Sequence, residues 1–407
     1  MHGQDHDPIQ LLAQLRQTLS ADKLSVGFFL GAGCPCAVRI AVPAGGDRPL
    51  IPDIKGITTK VQTAVAALPA VKDSHAALMK TFDEDSIKDP NIELVLNRVR
   101  GFRDVAGKTG VRGLTSDQLK ELDIKICEEI RQIVTCELPN QSTPYHALAN
   151  YILRHRSPFV EVFTTNYDVL MEEALEDKKV PYFDGFVGSR RPFFDQQAIE
   201  EDILPARWSR LWKLHGSIRW YFNKDRKVVF KSESEAPDDE LLIHPSHLKY
   251  DESRRMPYFV MIDRLRGFLR HGGQPVALFI SGYSFGDEHL NAAIVESLNA
   301  NASAACFTLQ HGVLANYPNA IALAKEHSNL SVLASDRAII RRQEGPWTTS
   351  ATTEPSLLQG VFDVAAAAAA APGARRNCTH LLGDFKAFGE FLDQFSGLRL
   401  PLGTATA

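Results

Sequence analysis

Four short segments that combine small and polar residues each follow an apolar run with the composition of a buried strand. If those runs form one parallel sheet, their carboxyl ends open into a single crevice, where ligands and catalytic side chains meet. The segments therefore predict one composite site, made of Gly31-Ala32-Gly33, Thr165-Asn166-Tyr167-Asp168, Lys213-Leu214-His215-Gly216-Ser217 and Gly282-Tyr283-Ser284-Phe285-Gly286-Asp287.

Two of these segments could bind phosphate groups. The small residues at 31–33 allow backbone amides to approach a pyrophosphate closely, although a Gly-x-Gly sequence also occurs in ordinary turns. Gly282 and Ser284 could contact a phosphate or a ribose, and Asp287 is placed to begin the following helix. The alternative for this second segment is a well-capped turn between a strand and a helix.

The other two segments carry side chains that could catalyse a reaction. The amide of Asn166 can orient a water molecule or a hydroxyl through directed hydrogen bonds, and Thr165 and Asp168 add polar atoms around it. Asp168 has the simpler alternative of capping the next helix. His215 could act as a general base near neutral pH, although a single histidine is more often structural.

The elements that would position these segments follow an α/β rhythm. Apolar runs typical of buried strands lie at 24–30, 160–163, 211–214, 276–281, 306–310 and 330–333. From the second run onward, they alternate with helical periods, as in a parallel sheet. The long stretch between the first two runs has only helical periodicity. We therefore predict an α/β fold, a Rossmann-like parallel sheet with a helical insertion in one crossover.

The predicted organisation has four parts. They are an N-terminal helix (1–23), a Rossmann-like catalytic domain (24–56 and 154–350), a helical insertion (57–153), and an Ala-rich linker with a C-terminal helix (351–407). The apolar stripe of the last helix is expected to join the core of this chain rather than a subunit interface. The helical insertion could form a lid over the crevice or an oligomer interface.

Composition excludes several classes of function. With 45 basic against 49 acidic side chains, the chain of 407 residues has no global attraction to nucleic acid, and pairs such as Arg190-Arg191 are interpreted as solvated or subunit-contacting surface. The absence of a membrane-length apolar run and of a signal peptide predicts a cytoplasmic protein with no membrane partner. No C-x-x-C pair occurs, and His244 and His247 lack further ligands at suitable spacing, so no metal site is expected.

Taken in order, the four segments resemble the motifs of the sirtuin superfamily over about residues 24–340. Within that superfamily, they are most similar to bacterial sirtuin-like proteins of antiphage defence systems, which degrade NAD+. The resemblance implies that Asn166 and His215 are catalytic. It also implies dinucleotide contacts for Gly31, Ala32, Gly33, Asp53, Thr165, Asp168, Gly282, Ser284 and Asp336.

The same resemblance implies an activity and a partner. The activity is hydrolysis of NAD+, as substrate, to nicotinamide and ADP-ribose without a metal, which depletes cellular NAD+ during phage infection. The partner is a HerA-type hexameric ATPase that would regulate a homo-oligomer of this chain, so contact with nucleic acid would be indirect. Two alternatives remain open: an NAD-dependent protein deacylase, disfavoured because the paired zinc cysteines are missing, and a non-catalytic subunit that binds NAD or ADP-ribose.

Overall fold

In a computed structural model of the chain, residues Ser25–Leu30 form a strand in the middle of a large sheet. The structure describes residues 5–21, 23–43, 45–155, 159–233, 239–243, 252–366 and 374–396. The strands are β1 (Ser25–Leu30), β2 (Arg39–Ala41), β3 (Asp47–Pro49), β4 (Glu161–Thr164), β5 (Tyr182–Phe183), β6 (Phe186–Val187), β7 (Phe193–Phe194), β8 (Ser209–Lys213), β9 (Gly216–Asn223), β10 (Val228–Lys231), β11 (Glu240–Ile243), β12 (Val276–Ser281), β13 (Ala304–Leu309), β14 (Leu330–Leu333), β15 (Arg337–Ile340), β16 (Gln343–Pro346), β17 (Thr348–Ser350), β18 (Phe362–Val364) and β19 (Arg375–His380).

Helices account for most of the remaining described structure. They are α1 (Pro8–Ser20), α2 (Gly33–Ala37), α3 (Ile54–Ala67), α4 (Lys72–Glu84), α5 (Ile92–Val105), α6 (Ser116–Val134), α7 (Pro144–Arg154), α8 (Leu170–Asp177), α9 (Gln196–Glu201), α10 (Glu252–Arg270), α11 (Glu288–Ala300), α12 (Pro318–Glu326) and α13 (Phe385–Asp393). Of the helices that could be described, none has both the length and the apolar character needed to cross a bilayer.

The main sheet has nine strands in the order β16-β15-β14-β13-β12-β1-β4-β8-β5. β1 pairs in parallel with β12 and with β4, and Leu30 lies opposite Ser281 on one side and Thr164 on the other. All residues of β1 are buried, which explains why this strand is a continuous apolar run without alternation. The predicted α/β fold with a large parallel sheet is confirmed, and β15 and β16 extend it with antiparallel pairing.

The predicted strand positions agree closely with this sheet. The runs at 276–281 and 330–333 have the same bounds as β12 and β14, and the other four differ from β1, β4, β8 and β13 by at most two residues at either end. Strands that are buried on both faces of the sheet appear in the sequence as continuous apolar runs, and these runs predicted the strand positions.

The helical insertion is confirmed between β3 and β4. Its described residues form α3 to α7, with an isolated bridge between Val111 and Leu114. Thr115 and Gln118 form a capping box at the start of α6. Asp123 of α6 binds Arg100 and Arg103 of α5 at 3.0 and 2.8 Å, so these two helices are held together by buried and half-buried ion pairs.

The start of α7 differs slightly from expectation. The sequence Ser142-Thr143-Pro144 predicts a helix that opens with Ser142 and Pro144. In the structure Thr143 is the N-cap, and its side chain accepts a hydrogen bond from the backbone of His146. Pro144 occupies the first helical turn, which leaves the residue immediately before it as the cap.

A second, smaller sheet was not predicted. Its five strands lie in the order β11-β9-β10-β7-β6 and pair in an antiparallel manner. β9 begins at Gly216, directly after the loop that leaves β8, so this sheet continues from the end of a main-sheet strand. β6 and β7 have only two residues each, and such short strands leave no periodic signal in a sequence.

The C-terminal region also contains strands where the sequence suggested a linker. β18 and β19 pair with each other, and β19 pairs with β17 in a three-stranded sheet. In β19 only Cys378 and His380 are buried, which explains why no apolar run marked it. Residues 367–373 of the Ala-rich run lie outside the described residues.

The closing helix α13 behaves as predicted. Phe385, Phe388 and Leu392 are buried, and Phe28 of β1 lies 6.2 Å from Phe388 between ring centroids. Gly389 of α13 packs closely on Pro144 of α7. The apolar stripe therefore belongs to the core of this chain, as expected, and the alternative of a subunit interface is wrong for these side chains.

Candidate functional site at the ends of the parallel strands

The carboxyl ends of β12, β1, β4 and β8 are neighbours in the main sheet, and the four predicted segments follow them. The Leu30 carbonyl accepts hydrogen bonds from Thr165 N at 3.2 Å and from Thr164 Oγ1 at 3.0 Å. The next carbonyl, that of Gly31, accepts a hydrogen bond from Asn166 Nδ2 at 3.1 Å. The ends of β1 and β4 are thus joined directly.

The loops after β1 and β12 are packed backbone against backbone. Gly31 N donates to Ser281 O at 2.8 Å, and Gly33 N donates to Gly282 O at 2.9 Å. Gly282 has a φ of +68°, and a Cβ there would lie 2.7 Å from Cys34 N. The backbone amides of Gly31 and Gly33 therefore already donate hydrogen bonds to backbone carbonyls of the protein. Close loop packing accounts for the glycines, whereas Ala32 lies half-buried between them.

Gly31→Ala is expected to destabilise the protein by about 2 kcal/mol or more, because the new Cβ would lie 2.3 Å from the Gly282 carbonyl oxygen. Urea denaturation followed by circular dichroism measures this loss of the free energy of unfolding. Gly101→Ala is the matched control, since Gly101 lies inside α5 with no heavy atom within 4 Å of its Cβ position, and it should be neutral or slightly stabilising. Equal stability of the two variants would contradict the proposed close packing.

Asn166 is held in a defined orientation at the end of β4. It is 8% exposed, its backbone N donates to Thr164 Oγ1 at 3.0 Å, and its Nδ2 is fixed by Gly31 O. Tyr145 of α7 contacts the Asn166 side chain. Burial raises the pKa of Tyr145 well above its usual value, so this neighbour stays neutral. The amide of Asn166 is thus oriented before any ligand binds.

His215, which follows β8, lies between two carboxylates. Its Nε2 is 3.0 Å from Asp287 Oδ2, and its Nδ1 is 3.7 Å from Glu93 Oε1. The residue is only 3% exposed. Burial alone would lower the pKa of His215, but the hydrogen bond with Asp287 and the nearby Glu93 outweigh it and raise the pKa to about 9. His215 is therefore an imidazolium ion at neutral pH.

Asp287 has two roles at the start of α11. Its Oδ1 accepts hydrogen bonds from His289 N and Leu290 N at 2.9 and 3.1 Å, which caps the helix as predicted. Its other oxygen binds His215. Burial would raise the pKa of Asp287, but the hydrogen bonds from His215 and from the α11 amides hold it well below its ordinary range. The sequence indicated the cap, and nothing in it signalled the contact with His215.

Glu93 brings the helical insertion into the site. It lies in the first turn of α5, after the cap Asn91, and its Oε1 accepts a hydrogen bond from the Tyr167 hydroxyl at 3.0 Å. Glu93 was not among the predicted site residues, because an acidic residue in a first helical turn is ordinary. The insertion therefore contributes a carboxylate to the environment of His215.

Asp287→Asn is expected to lower the pKa of His215 from about 9, because the amide keeps the shape and the cap but removes the negative charge beside Nε2. Proton NMR titration of the imidazole measures this change, with Glu288→Gln, a neighbouring exposed change, as control. Below pH 6.5, the raised pKa of His215 should contribute about 3 kcal/mol to the free energy of unfolding of the wild type. This contribution should be lost as the pH rises through about 9. An unchanged His215 titration would contradict the prediction.

Asp168 is placed in a local turn. It is buried, and its Oδ1 accepts a hydrogen bond from Leu170 N at 3.1 Å. Burial raises the pKa of Asp168 to about 6, against the opposing charge of Lys213. Lys213 is 1% exposed, donates to the Asp168 carbonyl and pairs with Glu172 at 3.2 Å. Asp168 therefore closes a local turn before α8, whose N-cap is Val169, so the alternative that Asp168 itself caps this helix is not what the structure shows.

The remaining predicted contacts have local partners or lie at the surface. Asp53 is the N-cap of α3 and accepts a hydrogen bond from Gly56 N at 2.8 Å. Asp336 accepts a hydrogen bond from Leu314 N at 2.8 Å in the turn between β14 and β15. Ser284 is exposed beside Gly282 in the loop after β12. The structure thus brings Asn166 and the glycine loops together, and gives Asp53 and Asp336 separate local roles.

The described residues hold no clustered set of metal ligands. Within that part of the chain, no group of three or more His, Cys, Asp or Glu side chains is arranged to hold a metal ion. His244 and His247 lie outside the described residues.

Comparison with known proteins gives one family match and several similar structures. Residues 160–333 match the family model described as the SIR2-like domain. No curated protein sequence matches the chain significantly. Similar solved structures include a Sir2 enzyme (11% identity, TM-score 0.34, covering 75% of this chain and 85% of that chain), a Sir2 homologue mutant with ADP-ribose (13%, 0.31, 72% and 83%) and a Sir2 homologue with NAD (15%, 0.31, 78% and 89%).

The family match covers the part of the chain that carries most of the candidate site. Asn166, His215 and Asp287 all lie within it, whereas Gly31 and Glu93 reach the same place from outside. Residues 160–333 are similar to a SIR2-like domain.

Proposed function

We propose that this chain hydrolyses the bond between nicotinamide and ribose in NAD+. The observation that carries the proposal is the placement of Asn166 and His215 at the ends of adjacent parallel strands, each fixed by buried partners. The similarity of residues 160–333 to a SIR2-like domain supports the choice of NAD+ as substrate. The products would be nicotinamide and ADP-ribose.

The chemistry requires little acid catalysis. The nicotinamide of NAD+ is already cationic, so the C1′–N bond can break with its electron pair leaving on a neutral nicotinamide. Water then adds to C1′ of the ribose, which has oxocarbenium character, and one proton is released. The site must therefore stabilise positive charge on the ribose and deliver oriented water.

Asn166 is suited to orient that water or a ribose hydroxyl. Its Nδ2 is engaged by the Gly31 carbonyl, so its amide oxygen has a fixed direction in which to accept a hydrogen bond. A fixed acceptor reduces the entropy lost when the reacting groups align. No charge on Asn166 is needed for this role.

His215 would act as the base that takes a proton from the attacking water or from a ribose hydroxyl. Because its pKa is about 9, only roughly 1% of it is neutral at pH 7 in the free protein. The carboxylates of Glu93 and Asp287 would stabilise the imidazolium ion that forms when His215 accepts the proton. Glu93 and Asp287 also place negative charge near the site, which favours a cationic ribose in the transition state.

The proposal extends to a biological setting. Unregulated hydrolysis of NAD+ would harm any cell, so the activity needs control. The resemblance of the motifs to antiphage sirtuin-like proteins supports a cytoplasmic defence effector that forms a homo-oligomer and is regulated by a HerA-type ATPase. The helical insertion, which supplies Glu93, offers a route by which assembly could alter the site.

Nicotinamide release from NAD+ tests the reaction against its alternatives. The purified chain would be assayed alone and with the candidate ATPase, in the presence and absence of an acetylated peptide. We expect release that does not depend on the peptide. Release only with the peptide would instead identify a deacylase. ADP-ribose binding with no release in either mixture would identify a binding subunit.

A further inference from the structure

The structure also has a cavity of about 880 Å³ that is not lined by the two proposed catalytic side chains. Its described lining comes from α8, from β5, β7, β9 and β10, and from the loops between them, and includes neither Asn166 nor His215. This volume lies in the range of natural small-molecule sites. The cavity therefore needs an explanation separate from the strand-end site.

Positively charged side chains with no described ion-pair partner form part of the cavity lining. Arg190, Arg191 and Arg226 line the cavity, and none of them has an ion pair with a described acidic residue. Two of the four acidic residues in the described lining have ion pairs: Glu172 with Lys213 at 3.2 Å and Glu233 with Arg219 at 3.1 Å. The other two accept hydrogen bonds from neutral groups: Glu176 from the Tyr182 hydroxyl at 2.8 Å and Asp239 from Asn223 at 2.7 Å. Guanidinium groups in such a position are suited to bind phosphate.

Glu172 of α8 also lines the cavity. Glu172 is 6% exposed, and its Oε1 pairs with Lys213 Nζ at 3.2 Å. Its Oε2 is buried and has no hydrogen-bond partner among the described residues. An unsatisfied buried carboxylate oxygen is costly, so this atom indicates a place for a hydroxyl or amino donor from a ligand.

The cavity also has an aromatic wall. Phe193 is 43% exposed, and it lies opposite Phe230 on the neighbouring strand. Both side chains line the cavity, as does Tyr182, whose hydroxyl donates to Glu176 at 2.8 Å. An exposed phenylalanine beside other aromatic rings is suited to stack on a flat heterocycle.

We propose that this cavity is a second ligand site that binds a nucleoside phosphate. The phosphates would contact Arg190, Arg191 and Arg226, and the base would stack on Phe193. Glu172 Oε2 would accept a hydrogen bond from a ribose hydroxyl or from an amino group of the base. Lys213 joins Glu172 to the Asp168 carbonyl, so the ligand would lie one side chain from the loop that carries Asn166.

Calorimetry with ADP as the probe tests the site on the full chain. We expect ADP to bind, and Arg190→Ala/Arg191→Ala to weaken its binding by about tenfold or more. Arg341→Ala/Arg342→Ala, a second exposed arginine pair, is the matched control and should leave binding unchanged. Adenosine should bind about tenfold more weakly than ADP, because it lacks the phosphates. No binding of ADP, or equal weakening by both arginine pairs, would overturn the proposal.

Photo-crosslinking identifies where the ligand lies, whether or not the chain hydrolyses NAD+. The full chain would be irradiated with 8-azido-ADP, and the labelled peptides would be located by mass spectrometry. We expect label within residues 182–193 or 228–232, and loss of that label in Arg190→Ala/Arg191→Ala. Label confined to the loops at 31–33 and 282–287 would show that ADP occupies only the strand-end site, and would overturn the proposal.

Discussion

Asn166→Ala is expected to lower kcat for nicotinamide release by about 10²–10³-fold. The substitution removes the fixed amide that would orient water or a ribose hydroxyl, while the neighbouring loops keep their backbone contacts. It also removes the hydrogen bond to Gly31 O, at a stability cost of about 1 kcal/mol. Steady-state release of nicotinamide, with thermal unfolding recorded on the same samples, measures both effects.

The control for this experiment is Asn140→Ala, which changes an exposed asparagine in the loop before α7. It should retain full activity and stability. The prediction would be wrong if Asn166→Ala released nicotinamide at the wild-type rate while remaining folded. A large loss of stability in Asn166→Ala would point to a mainly structural role for this side chain.

The pH dependence of the reaction is expected to follow the titration of His215. If the neutral imidazole is the base, kcat/KM should rise about tenfold per pH unit and level off near pH 9, the pKa of His215 in the free protein. Initial rates between pH 6 and pH 10, corrected for non-enzymatic breakdown of NAD+, measure this profile. A flat profile over that range would contradict a base role for His215.

Two variants separate His215 from other titrating groups. His215→Ala should lower kcat/KM by about 10²–10⁴-fold and abolish the rise with pH. Asp287→Asn should move the midpoint of the rise to lower pH, since it removes the carboxylate bound to Nε2. A midpoint that stays in place in Asp287→Asn would assign the titration to another group.

Much of the fold was predictable because it depends on local patterns. Strands buried on both faces leave continuous apolar runs, and the strand ends in a parallel sheet must be neighbours. These two facts are enough to place Asn166 and the glycine loops at one edge of the sheet from the sequence alone. Short antiparallel strands such as β6 and β7 have no such pattern, so the second sheet was not predicted.

The protonation state of His215 was not predictable in the same way. It depends on Glu93 and Asp287, which lie far from His215 in the sequence and reach it only through packing of α5 and α11. Each acidic residue has an ordinary helix-terminal explanation when the sequence is considered alone. Tertiary contacts, not motif residues, therefore set the charge of the proposed base.

Proton NMR of NAD+ incubated with the purified chain follows both proposed products at once. Samples would contain the wild type or Asn166→Ala, each alone and with the candidate ATPase. We predict that the wild type, in at least one mixture, forms nicotinamide and ADP-ribose in equal amounts without an acylated peptide, and that Asn166→Ala forms both about 10²–10³-fold more slowly. Intact NAD+ in every wild-type sample, or equal product formation by the two proteins, would contradict the proposed hydrolysis at this site.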